Sequence, residues 1–292
     1  MKRLYPYKKI DAFTAGDSLG NPAACLYLEA GQKLSEKEML SIAQQHKGFV
    51  SEVVYCTVSA DGIGLRYYSS ECEVDFCGHG TVACMHQLIG STPALLGKKE
   101  IDIQTYKKGR LTVYNRIPET DAVLVAAPRP LYLETGVSRE AAAKALGLSA
   151  DGTDDGLPLE VIDAGLRTLI VPLGGAGTLT ALFPDEGGLR EFCACADVDI
   201  VLIFTKEAPA GYAAHTRVFA PKFGYLEDPA TGSGNSAFGY YMLKNGLWDG
   251  RDCVLYQGGC DRVWNKIFLS CVDGRVLFGG SAALRIDGVY HV

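Results

Sequence analysis

Two short segments of this chain place polar, reactive side chains in the same glycine-flanked setting. Cys77-Gly78-His79-Gly80-Thr81-Val82-Ala83 is echoed by Thr231-Gly232-Ser233-Gly234-Asn235-Ser236-Ala237. Each runs directly into an apolar stretch, Val82-Ala83-Cys84-Met85 in the first and Ala237-Phe238-Gly239-Tyr240-Tyr241-Met242-Leu243 in the second. A polar turn that opens a helix leaves about four N–H groups without partners, and the aligned peptide dipoles add partial positive charge there. Such a terminus favours an anion. Glycine lets a ligand come close to the main chain and permits backbone angles that a side chain forbids. Gly78, Gly80 and Thr81 in one turn, with Gly232 and Gly234 in the other, are therefore the candidate substrate-binding residues. One glycine turn alone reads as a connection between elements. Its duplication predicts two helix N-termini facing each other across a cleft, clamping a small carboxylate-bearing molecule.

The elements that must position these turns are short strands alternating with a few helices. Ile10–Phe13, Ala23–Leu28, Val50–Cys56 and Gly64–Tyr68 read as strands, with Gly20-Asn21-Pro22 as a turn between the first two. Ser35, three residues before Glu38, opens a helix by a capping-box spacing, and Met39, Ile42 and Ala43 supply its apolar face. Ile101–Ile103 and Leu111–Tyr114 read as a hairpin. The second half repeats the order, with strands at Val161–Asp163, Thr168–Val171, Ile200–Phe204 and Thr216–Phe219, a helix from Glu186 to Cys195, and strands again from Cys253 to Leu284. The helices after the two glycine turns are apolar nearly all round, which predicts enclosure. His86 and Gln87 interrupt the first and must find partners if buried. The expected architecture is α+β, two pseudo-symmetric lobes, each a curved mixed sheet around one central helix. Proline and polar residues at Ile117-Pro118-Glu119-Thr120 place the division there: residues 1–118, completed by a C-terminal strand near 281–292, and residues 119–280.

With 292 residues, 48% hydrophobic and 21% charged, the chain has material for two sizeable cores. A net charge of −6 and the absence of a long basic run argue against a nucleic-acid surface. No apolar run suits a signal peptide or a membrane span, so the expectation is a cytoplasmic protein with neither a membrane nor a nucleic-acid partner. The ten cysteines contain no Cys-x-x-Cys pair and read mostly as small buried hydrophobes. His46, His79, His86, His215 and His291 are scattered, and His79 with His86 would need further ligands that their neighbourhood does not offer. No metal is expected.

Gly20-Asn21-Pro22-Ala23-Ala24, Ser51-Glu52, Glu73-Val74-Asp75-Phe76-Cys77-Gly78-His79-Gly80-Thr81 and Glu227-Asp228-Pro229-Ala230-Thr231-Gly232-Ser233 occur in that order along the chain. Together they resemble the PhzF family of phenazine-biosynthesis proteins, within the diaminopimelate epimerase-like fold. The Asp-Pro-Ala-Thr-Gly-Ser segment is the most specific piece; the family more usually has alanine where this chain has Gly80. The resemblance implies a homodimeric isomerase without a cofactor, resembling the enzyme that acts on dihydro-3-hydroxyanthranilate. There a glutamate moves a proton between carbons of a cyclic diene, and its position matches Glu52. His79, Asp228 and Ser233 match the positions that hold polar groups of the substrate and assist the proton.

These assignments make chemical sense. A base that takes a proton from carbon needs a raised pKa, and Phe49, Val50, Val53 and Val54 around Glu52 could desolvate it, although a glutamate on an alternating strand otherwise reads as solvent-facing. The dipole at a helix N-terminus disfavours a charged His79. Asp228 and Ser233 could equally cap the helix that follows. A rival reading is an amino-acid racemase or epimerase with one thiol in each turn, but the position equivalent to Cys77 holds Thr231, whose hydroxyl is far too weak an acid to replace a thiol. A one-base variant using Cys77 stays open, as does a protein that binds a small acidic metabolite without turning it over.

Overall fold

A computed structural model describes residues 3–29, 31–60, 62–149, 152–259 and 264–292. Met1, Lys2, Cys260 and the 261–263 part of the expected C-terminal strand region lie outside the described residues. The chain divides into two compact units, Met1–Ala126 with Gly279–Val292, and Ala127–Phe278. The division falls later than the 118/119 expected from Pro118. Ile117–Thr120 is only a single helical turn, and the strand after it, Ala122–Ala126, pairs antiparallel with Gly109–Arg116 and so stays in the first unit. The strand Ala282–His291 pairs with Leu4–Ala12 in that same unit.

In the first unit, Asn21–Leu28 lies between Leu4–Ala12, to which it runs antiparallel, and Glu52–Ser59, to which it runs parallel. Parallel neighbours need a crossover. Here it contains the helix Glu36–Gln45, whose start is the expected capping box: Ser35 Oγ accepts from Glu38 N at 3.3 Å and the Glu38 carboxylate accepts from Ser35 N at 2.8 Å. Gly20-Asn21-Pro22 is not the turn that its composition suggested. Asn21 and Pro22 already belong to the strand, and only Gly20, with φ +67°, bends the chain. Glu52–Ser59 continues antiparallel to Gly62–Ser69, and Glu100–Thr105 with Gly109–Arg116 forms the expected hairpin.

The strand Glu52–Ser59 is covered on both faces from Val53 to Cys56, its last three residues being exposed. Val53 and Tyr55 pack with Met39, Ile42 and Ala43 of the capped helix. Glu52, Val54 and Cys56 alternate with them and share the face that meets the helix Gly78–Gly90. That helix is buried from Gly80 to Met85 but less enclosed farther on: Leu88 is half-buried, and His86 Nε2 meets the Asp121 carboxylate at 3.0 Å.

In the second unit, Ile200–Thr205 is central, parallel to Arg167–Pro172 and antiparallel to Ala214–Phe219. Val201 and Ile203 face a core with Leu169, Val171, Leu189 and Cys193, whereas Phe204 turns to the helix Gly232–Lys244 and lies 4.5 Å, centroid to centroid, from Phe238. This helix is buried without interruption from Gly234 to Met242. Composition alone did not disclose the helix Arg139–Leu146, capped by Ser138, or the helix Ala176–Ala181.

Close packing also explains Gly232. A Cβ there would sit 2.2 Å from Phe278 Cε2, deep inside contact distance. Gly232→Ala is expected to destabilise the protein by about 1–3 kcal/mol. Gly177→Ala, whose added Cβ would meet nothing within 4 Å, should stay within about 0.5 kcal/mol of wild type. Thermal or urea unfolding reads both, and equal effects would contradict this packing.

Candidate active site

Glu52 opens an interior strand, with Ala23 beside it on one neighbour and Ser69 on the other. Its alternation with Val53 turns the carboxyl to the side where the helix Gly78–Gly90 begins. The first glycine turn is indeed a helix N-terminus, with Cys77 as the N-cap residue. Cys77 Sγ accepts from Gly80 N at 3.2 Å, and His79 brings Nδ1 to 3.5 Å from the same sulfur. His79 Nε2 lies 3.3 Å from Glu52 Oε2. Three groups named separately from the sequence thus meet at one place in the first unit.

The environment of Glu52 is dry where it matters. Although 22% of the side-chain surface is exposed, Oε2 is shielded from solvent and has no hydrogen-bond partner among the described residues; the His79 contact is close without hydrogen-bond geometry. Desolvation by burial pushes the carboxyl pKa up to about 7, against a smaller opposing effect of its hydrogen bond with Cys77. Of the residues expected to dry it, Val53 and Val54 are fully buried, whereas Phe49 is half exposed. Covering of both strand faces does the work assigned to Phe49.

Two of the expected binding residues have other duties. Thr81 is fully buried; its N–H and its hydroxyl both donate to Cys77 O, at 3.0 and 2.7 Å, and the hydroxyl also meets Tyr67 OH. It supports the turn from within. Gly80 uses its N–H on Cys77, and a Cβ there would lie 2.8 Å from Val54 Cγ2 and 2.9 Å from Cys77 Sγ. The alanine usual in the resemblance would press on the sulfur, so glycine here serves packing. Gly78 is half-buried at the first helical position.

The second unit repeats the backbone device with different side chains. Thr231 caps Gly232–Lys244 with φ −117° and ψ 110°, close to the −128° and 109° of Cys77. Its hydroxyl does not cap the helix. Instead it donates to Asp228 Oδ2 at 2.6 Å. Gln257 locks this turn: its Oε1 accepts from Thr231 N at 3.0 Å and Asn235 Nδ2 at 2.6 Å, and its Nε2 donates to Asp228 O at 2.9 Å. Asp228 is buried beside Thr231, and half-buried Ser233 lends its carbonyl to Ser236 Oγ at 2.8 Å. Gly232 and Gly234 are buried at the helix start. Beneath the turn, buried Arg217 pairs with Glu227 at 2.8 Å and donates to Leu179 O and Leu182 O. Gln257 and Arg217 were not foreseen, because neither stands near the turn in sequence.

A separate concavity in the first unit, about 670 Å³, is lined by Ile63, Leu88, Ile101, Asp102 and Arg110 and not by Glu52, Cys77 or His79. Asp102 and Arg110 are paired with each other there.

The chain matches the family described as phenazine biosynthesis-like protein (PhzC-PhzF) over residues 10–270. It is 31% identical to an uncharacterized isomerase of Deinococcus radiodurans, over 97% of this chain and 94% of the relative. It is 28% identical to trans-2,3-dihydro-3-hydroxyanthranilate isomerase of Pseudomonas fluorescens, over 87% and 86%. Its fold is that of the Bacillus anthracis PhzF-family phenazine biosynthesis protein, with a TM-score of 0.81, 24% identity and 99% of each chain covered.

The raised pKa of Glu52 has a consequence for stability. Below pH 4.5 both folded and unfolded chains carry its proton, and above about 7 neither does; between these the folded state holds the proton more tightly. The contribution of Glu52 to stability is thus lost as pH rises from 4.5 to about 7, by up to about 3 kcal/mol. Glu52→Gln lacks this titration. Its melting temperature should exceed that of wild type at pH 8, and the gap should close towards pH 5. A gap independent of pH would contradict the assignment.

Proposed function

The chain belongs to the phenazine biosynthesis-like (PhzC-PhzF) family, and from that premise we propose that it is a cofactor-independent isomerase that moves a proton between two carbons of a small, cyclic, carboxylate-bearing substrate. The observation that carries this reading is a desolvated carboxyl, Glu52, with its pKa near 7, in contact with His79 at a helix N-terminus. Near neutral pH such a group is present in both forms. As carboxylate it can take a proton from carbon, and as the acid so formed it can return that proton to another carbon. The C–H electron pair passes into the conjugated system, the substrate carboxylate helps to spread the charge, and the proton comes back elsewhere. Atoms and electrons balance without a co-reactant.

His79, whose Nε2 lies 3.3 Å from Glu52 Oε2, steadies the carboxyl through both forms. The helix N-terminus at Cys77 favours the substrate's anionic group. Asp228 and Ser233 are assigned to polar groups of the substrate, with Asp228 held in place by Thr231 and Gln257. The Pseudomonas fluorescens relative, named for dihydro-3-hydroxyanthranilate, supports a cyclic diene acid as the substrate class. A two-thiol epimerase is disfavoured by Thr231, whose hydroxyl is engaged with Asp228 where a second thiol would stand. A homodimer is the expected assembly, which sedimentation analysis would read.

The test is incubation with dihydro-3-hydroxyanthranilate and related cyclic diene acids in deuterated water. Wild type should place deuterium on carbon, and Glu52→Gln should slow this by about 10²–10⁴-fold while still binding the ligand. The exchange rate should rise with pH through an apparent pKa near 7, as the basic form of Glu52 accumulates. Binding with neither isomerised product nor deuterium exchange in wild type would instead favour a non-catalytic metabolite-binding protein.

A further inference from the structure

Glu52, Cys77 and His79 offer three different donor atoms within 4.8 Å of one another: a carboxylate oxygen, a sulfur and an imidazole nitrogen. In a tetrahedral zinc site, oxygen and nitrogen donors stand about 3.3 Å apart, and nitrogen and sulfur donors about 3.5 Å. The corresponding separations here are 3.3 Å between Glu52 Oε2 and His79 Nε2, and 3.9 Å between His79 Nε2 and Cys77 Sγ. We propose that this trio binds one thiophilic divalent cation, of which Zn²⁺ is the type, through Glu52 Oε2, Cys77 Sγ and His79 Nε2, with the fourth position open.

Two observations beyond the donor set point to a ligand. Glu52 Oε2 is buried and lacks a hydrogen-bond partner among the described residues, a state that a cation would relieve. The Gly80 N–H, aimed at Cys77 Sγ from 3.2 Å, also stabilises negative charge on the sulfur, as a thiolate ligand requires. On binding, the Cys77 thiol proton and any proton on Glu52 leave to solvent, and the three coordinate bonds form in their place. Three protein ligands with an open fourth position are the arrangement of a site that admits a further ligand. The trio escaped the sequence because Glu52 comes from a different element than Cys77 and His79, so no ligand-spacing pattern records it.

The cation and the proton compete for the same oxygen. Where the isomerase reading holds, occupancy removes Glu52 from proton transfer, so Zn²⁺ inhibits and a chelator restores turnover. The binding itself does not depend on that reading.

Titration of the purified, metal-free full chain with Co²⁺ separates the two claims, because its spectrum is read without turnover. One equivalent should produce a thiolate-to-cobalt charge-transfer band and the strong visible bands of four-coordinate cobalt. Cys77→Ala should abolish the charge-transfer band, and Glu52→Gln and His79→Ala should each weaken binding by more than about tenfold. Circular dichroism verifies that each variant is folded. X-ray absorption of the Zn²⁺-loaded wild type, which needs no variant, should give one sulfur neighbour with nitrogen and oxygen completing the shell. No charge-transfer band in the wild type, persistence of the band in folded Cys77→Ala, or a shell with two or more sulfurs would overturn the proposal. A sulfur-rich shell would point to the other cysteines, of which Cys25, Cys56 and Cys84 are buried and Cys72 and Cys195 exposed.

Discussion

The burial of one carboxyl is the constraint from which the rest of the first unit follows. A glutamate in an interior strand loses hydration that its neighbours do not replace, and the charged form suffers most. Among the described residues Oε2 has no hydrogen-bond donor, and the contact with His79 stops short of one. A well-satisfied carboxylate would be a poor base. The unsatisfied one is held near neutrality, where taking and giving a proton are both feasible. Everything around it maintains that state: Val53 and Val54 bury the strand on both faces, the capped helix Glu36–Gln45 covers one face, and the helix Gly78–Gly90 brings Cys77 and His79 to the other.

The two glycine turns show how one backbone device serves two chemistries. Cys77 and Thr231 stand at the N-cap positions of helices of equal length with nearly the same backbone angles. Cys77 takes a helix N–H on its sulfur, whereas Thr231 leaves its helix uncapped and gives its hydroxyl proton to Asp228. The consequence is a polarised thiol in one unit and an aspartate fixed through Thr231 and Gln257 in the other. The glycines make this possible chiefly by close packing. Gly80 leaves room for the Cys77 sulfur and Val54, and Gly232 leaves room for the Phe278 ring. Part of what composition read as access for a ligand is access for the protein's own interior.

What was legible in the sequence is what is local along the chain. Ser35 and Glu38 announce their helix because both halves of the cap lie within one turn, and the helix Glu186–Cys195 has the bounds that its pattern gave. The chemical identity of Glu52 and His79 was visible through their family setting; apolar neighbours suggested that Glu52 could be dry but did not decide it, because a strand covered on both faces differs from an alternating one only by its partners. The run Val53-Val54-Tyr55-Cys56 carried that signal. Gln257 and Arg217, which lock the second turn and its support, arrive from other strands and leave no spacing to read. The late division at Ala126 has the same cause, since pairing with Gly109–Arg116 outweighs the proline that precedes it.

The central claim is that Glu52 is a desolvated carboxyl whose proton is held until neutrality. A carbon-13 NMR titration of protein labelled at the glutamate side-chain carboxyl, with Glu52→Gln used to assign the resonance, measures this directly. The account predicts a midpoint near pH 7 for Glu52. A midpoint near the ordinary 4.5 would contradict it.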